Sequence, residues 1–137
     1  MAGQFVYSEP PDGSVLASER KGFDEFVKNA CTLTGISLTE VMSARKTARI
    51  STLRQLLMAT ARVELDWQFV HVGGYFHRDH STAQHAVKTV RNRFETNDRN
   101  LFFRQCVIAV EAAFRDQYEQ PLTFPATWHT QKKSRSK

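Results

Sequence analysis

Apolar residues recur at three- and four-residue steps through most of the chain, the period of a helix with one buried face. Phe23, Phe26, Val27, Ala30 and Leu33 predict a first helix, with Gly35 as its stop. Ser37-Leu38-Thr39-Glu40 fits a capping box and opens a short helix to Met42. The stretch SARKTARIS, residues 43–51, is polar and basic and predicts a loop. Ser51 is the expected cap of a longer helix, TLRQLLMATARVEL, with Leu53, Leu56, Leu57, Ala61 and Leu65 inward and Arg54, Met58 and Arg62 on another face. Asp66 is the expected cap of a short helix over WQFVHVGGY. After a turn, STAQHAVKTVRNRFE carries one apolar stripe, Ala83, Ala86, Val87, Val90 and Phe94, opposite Ser81, His85, Lys88 and Asn92. Residues 96–100 break the pattern. A last helix follows, with Phe103, Val107, Val110 and Phe114 inward, until Pro121. No strand-like alternation of any length occurs, so the expectation is an all-α bundle of about six helices.

The 137 residues suit one folded domain with loose ends. Residues 1–20, with Pro10-Pro11 and Asp12-Gly13, predict an irregular arm. Residues 21–96 hold the main bundle, 97–120 an additional C-terminal helix packing on it, and 121–137 a flexible basic tail. Cys31 and Cys106 are far apart and in no CxxC pattern, which points to reduced core thiols. No apolar run reaches membrane-spanning length, and the N-terminus lacks a charged start followed by an apolar core. The expected location is the cytoplasm.

Charge sharpens the picture. The formal net charge is +5. Between Glu40 and Glu64 there is no acidic residue, while Arg45, Lys46, Arg49, Arg54 and Arg62 all fall there. Polarised charge of this kind favours nucleic acid over a neutral partner.

The candidate chemistry lies in FHRDHSTAQHA, residues 76–86. A metal site on a helix wants ligands at i, i+4, and His80 and His85 are five apart with no completing carboxylate or thiolate. Catalysis needs a nucleophile and an orienting partner, and the consecutive Asp79, His80 and Ser81 do not converge on one reacting atom. No phosphate-cradling GxxxxGK[ST] run is present. The expectation is therefore no enzyme, no metal and no cofactor. A capped helix start alone would explain Asp79. A helix-turn-helix explains more: a short helix, a turn, then a helix whose first residues are small, polar and able to reach base edges in a major groove.

The residues SARKTARISTLRQLLMATARV followed by RDHSTAQHAVKTV resemble the C-terminal DNA-binding domain of the bacterial replication initiator DnaA. The likeness covers about residues 23–94 and implies an all-helical, Trp-repressor-like bundle, standing here without an ATPase domain. It places Lys46, with Arg45 beside it, in a minor groove. It places the phosphate-touching Arg-Gln pair on Arg54 and Gln55, with a further contact at Arg62. Base reading falls on Asp79, His80, Ser81 and Thr82, and Arg78 is the signature's arginine. Arg49 and Lys88 join the phosphate set by charge and face. His85 falls nearer the core edge in that pattern, with a structural role. The chain departs from the pattern at Lys46, where arginine is usual, at His77, which leaves the turn one residue shorter, and at Trp67.

The reading that follows is a non-catalytic, sequence-specific binder of double-stranded DNA at DnaA-box-like sites. It would be nucleoid-associated and would act in replication initiation or transcription regulation. The alternative is a protein-interaction module on the same fold, with weak or non-specific DNA binding. In that case the C-terminal helix is the seam for a homodimer or a protein partner.

Overall fold

The computed structural model describes residues 15–135, with side chains through His129. Within them the chain forms seven α-helices and one π-helical turn. These are α1 (Ala17–Thr34), α2 (Leu38–Met42), α3 (Ala48–Ala59), the π turn (Thr60–Glu64), α4 (Phe69–Tyr75), α5 (His80–Glu95), α6 (Leu101–Tyr118) and α7 (Phe124–Arg135). No strand occurs among the described residues, so the fold is all-α.

The local signals explain most boundaries. Gly35 takes the left-handed conformation (φ 75°) and donates to the Cys31 carbonyl, ending α1. Ser37 and Glu40 exchange the two bonds of a capping box at α2. Asn100 accepts from the Phe103 N–H at 2.9 Å and starts α6.

The core runs through all of these elements. α1 lies along α6, α3 packs on α5 and α6, and α4 packs on α5. Phe23 anchors an aromatic cluster, 4.6 Å from the Trp67 ring and 4.8 Å from the Tyr75 ring. The Tyr75 hydroxyl donates to the Asp24 carboxylate, and burial together with that carboxylate pushes its pKa up. Cys31 and Cys106 are free and buried, and burial pushes both thiols up to about 11.

Five expectations are corrected. α1 begins at Ala17, six residues before Phe23, so a boundary at residue 20 falls inside a helix. Glu19 accepts from the Leu16 N–H there. Thr47, not Ser51, caps α3, accepting from Ile50, so the basic loop is shorter than predicted. The long helix does not run regularly to Leu65: it widens into the π turn at Thr60. Asp66 does not cap α4 but sits at φ 59°, which lets Trp67 bury in the core. The tail is not flexible from residue 121. Phe124–Arg135 is helical, and Leu122, Phe124 and Trp128 are buried. Phe124 and Trp128 pack against Phe94, and the Glu64 carboxylate accepts from Thr123 N, Thr123 Oγ1 and Phe124 N at 2.7–3.0 Å. The arm at 1–14 and residues 136–137 lie outside the described residues.

Candidate nucleic-acid interface

α4 and α5 form the predicted helix-turn-helix, joined by residues 76–79. The Gly73 carbonyl accepts from both Phe76 N–H (3.0 Å) and Arg78 N–H (2.8 Å), which folds the turn back on α4. His77 makes the bend at φ 61°, in the left-handed region that glycine enters more easily. Asp79 caps α5, accepting from the Thr82 N–H at 2.9 Å. Donation from Thr82 holds the Asp79 carboxyl below the usual carboxylate range. Asp79, His80, Ser81 and Thr82 are all exposed at the start of α5. Ala83, Ala86 and Val90 seat the other side of the helix in the core.

The basic loop, residues 43–47, stands beside this helix start. Its anchor is Arg54, which is only 5% exposed. Arg54 Nε donates to the Val41 carbonyl at 2.8 Å. Its Nη2 lies within bonding distance of the Glu40, Ser43 and Arg45 carbonyls, at 3.3, 3.1 and 3.0 Å. Arg78 reaches the same loop from the turn: Nη2 donates to the Ser43 carbonyl at 2.8 Å and Nη1 to the Phe76 carbonyl at 2.9 Å. Burial, and then the neighbouring Arg78 charge, pushes the Arg54 guanidinium down to about 10. The resemblance implies a phosphate contact for Arg54. Nε and Nη2 instead turn inward onto carbonyls of the loop and of the end of α2.

Loop and helix start enclose an open concavity of about 420 Å³. Lys46, Arg54, Gln55, Arg78, Asp79, Ser81 and Thr82 line it, so seven of the sequence-derived residues meet there. Asp79 carries the only carboxylate among the lining residues. Four further lining residues are outside the predicted contact set: Ser51, Met58, His85 and Ala86. His85, expected in a structural role, is exposed, with Nε2 3.4 Å from Thr89 Oγ1. Its spacing of i+4 from Ser81 and i+3 from Thr82 is the signal that marks it.

Other predicted contacts lie off the concavity lining. Arg45 is exposed and 3.4 Å from the Glu40 carboxylate. Arg49 stacks over the Phe102 ring at 5.0 Å. Arg62 donates to the Trp67 carbonyl at 3.1 Å and lies over the Phe69 ring. Lys88 is exposed two helical turns beyond Ser81. No group of three or more His, Cys, Asp and Glu residues among those described is placed to hold a metal ion. No helix among them is long and apolar enough to cross a membrane.

Residues 24–90 match the family model described as the bacterial DnaA protein helix-turn-helix. The chain is 33% identical over 67 residues to chromosomal replication initiator protein DnaA 2 of Protochlamydia amoebophila, covering 49% of this chain and 15% of that protein. It is 30% identical over 81 residues to the chromosomal replication initiator protein DnaA of Mycoplasma pneumoniae, 58% of this chain and 18% of the relative. It is 34% identical over 89 residues to the DnaA of Dechloromonas aromatica, 63% and 19%. The matched part thus spans less than a fifth of each of these relatives. No solved structure matches the chain.

Proposed function

We propose, from the premise that residues 24–90 belong to the bacterial DnaA helix-turn-helix family, that this chain binds double-stranded DNA sequence-specifically at DnaA-box-like sites. The observation that carries this reading is the exposed start of α5: His80, Ser81 and Thr82 are solvent-exposed in its first turn, with Asp79 as the cap, beside a carboxylate-poor basic concavity. A recognition helix reads base edges with its first residues. In the proposed mode, Thr82 offers its methyl to thymine, His80 and Ser81 hydrogen-bond base edges, and Asp79 combines its cap with acceptance from a cytosine amino group. Lys46 and Arg45 follow the minor groove, and Gln55, Arg49, Arg62 and Lys88 give register on phosphates. The chain acts without catalysis, as a replication accessory or transcription regulator at the nucleoid.

Selection of bound duplexes from a randomised library tests the reading. Enrichment of a DnaA-box-like motif is the expected result. Recovery of duplexes with no shared motif would overturn it.

One observation favours a second reading, a protein-interaction surface. Leu101 and Ile108, seven residues apart on α6 and outside the family match, are 69% and 68% exposed. A concentration-dependent dimer indifferent to DNA would favour that reading.

A further inference from the structure

We propose that Arg54 and Arg78 are positioning residues: together they clamp the Ser43 carbonyl and fix the basic loop against the helix-turn-helix, so that loop and recognition helix read DNA as one rigid unit. The inference rests on the proposed DNA-facing role of that surface.

The geometry carries it. The two guanidiniums come from different elements, the middle of α3 and the α4–α5 turn, yet both Nη2 atoms lie on one oxygen, at 3.1 and 2.8 Å. Arg54 also holds the carbonyls of Glu40, Val41 and Arg45, so the loop backbone is tied before, at and after Ser43. Among the described residues no ion pair joins either guanidinium to a carboxylate. Their charge is met by backbone dipoles instead. Burial, and then the neighbouring positive charge of Arg78, disfavours charged Arg54, so this arrangement has a cost that a purely solvated phosphate contact would not carry. In return, residues 44–47 remain exposed on a backbone held from beneath. Arg45 and Lys46 are thereby ordered before any duplex arrives, which lowers the entropy lost on binding.

Arginine is the residue this task needs. Its planar fork offers donors in several directions, whereas lysine keeps the charge but places it at one point. The Arg54→Lys and Arg78→Lys variants of the full chain therefore separate positioning from charge. The first readout needs no DNA: hydrogen exchange of the amides of residues 43–47. Both variants should speed it about tenfold or more, with amides in the middle of α5 unchanged. The second readout is affinity for a duplex the wild-type chain binds. It should fall about tenfold or more while the salt slope stays the same, because no charge is removed. Should Arg54→Lys fail to fold, Arg78→Lys, at a half-buried position, carries the test. Loop exchange unchanged in the folded variants overturns the clamp. Faster exchange with wild-type affinity overturns its role in reading. If the wild-type chain binds no duplex, the DNA-binding reading itself fails, and the exchange result still decides whether the clamp holds the loop.

Discussion

Gly73 lies so close to the start of α5 that a Cβ on it would stand 2.5 Å from the Asp79 carbonyl oxygen and 2.7 Å from that of Arg78. Both neighbours are backbone, so neither yields cheaply. Gly73→Ala should therefore destabilise the fold by about 1–3 kcal/mol, the usual cost of overpacking. Urea denaturation checks this. An unchanged midpoint would mean the turn can open without cost. Gly74→Ala meets nothing within 4 Å and serves as the control.

Asp79 makes a pH prediction. Its folded pKa is depressed by donation from Thr82. The sign is that of a paired carboxylate: its contribution is present above the unfolded value of about 3.9 and is lost as pH falls through the lower folded value. Asp79→Asn keeps a capping oxygen and removes the titration. The difference in melting temperature between wild type and Asp79→Asn should shrink as pH falls below about 4. A difference constant from pH 7 to pH 3 would contradict the cap's ionic character. Asp79→Ala should melt lower than both at neutral pH.

Residues 122–128 add Leu122, Phe124 and Trp128 to the core. Trp128 is 6% exposed and packs on Phe94 and Phe124. Trp128→Ala should cost about 3 kcal/mol, the lower end of what buried aromatic truncations lose. Glu64→Gln should destabilise less, by removing the charge that meets three donors at the start of α7. Thermal melts of both variants decide this. Wild-type stability in both would return residues 122–135 to the status of an appendage.

Base reading and phosphate contact should separate by mutation. His80→Ala or Thr82→Ala should cost about 1–3 kcal/mol on the best site and relax specificity there. Lys88→Ala should weaken all duplexes alike and reduce the salt slope by about one. Titrations on the preferred and a scrambled duplex distinguish the two. Equal losses on both duplexes for His80→Ala would remove it from the reading set.

What the sequence made legible was local. The Ser37–Glu40 capping box, the Gly35 stop, the Asp79 cap and the Ala83–Ala86–Val90 stripe all depend on residues within one or two helical turns of each other. So did the exposed row His80, Ser81 and Thr82. The inward turn of Arg54 was not legible, because the carbonyls it holds lie 9 to 14 residues away and only the tertiary fold brings them under α3. α7 was hidden for a related reason. Phe124 and Trp128 meet Phe94 only in the folded chain, and a stop at Pro121 ahead of a basic end reads as a tail, although the proline at 125 is tolerated in the first turn of α7.

The central claim is tested most directly by fluorescence anisotropy of the full chain on a duplex carrying a DnaA box and on its scrambled version, each at two salt concentrations. The account predicts a preference of about 10³-fold or more for the box, the range of specific recognition, persisting at the higher salt. Steeply salt-dependent binding with no preference would contradict it, leaving only an electrostatic surface.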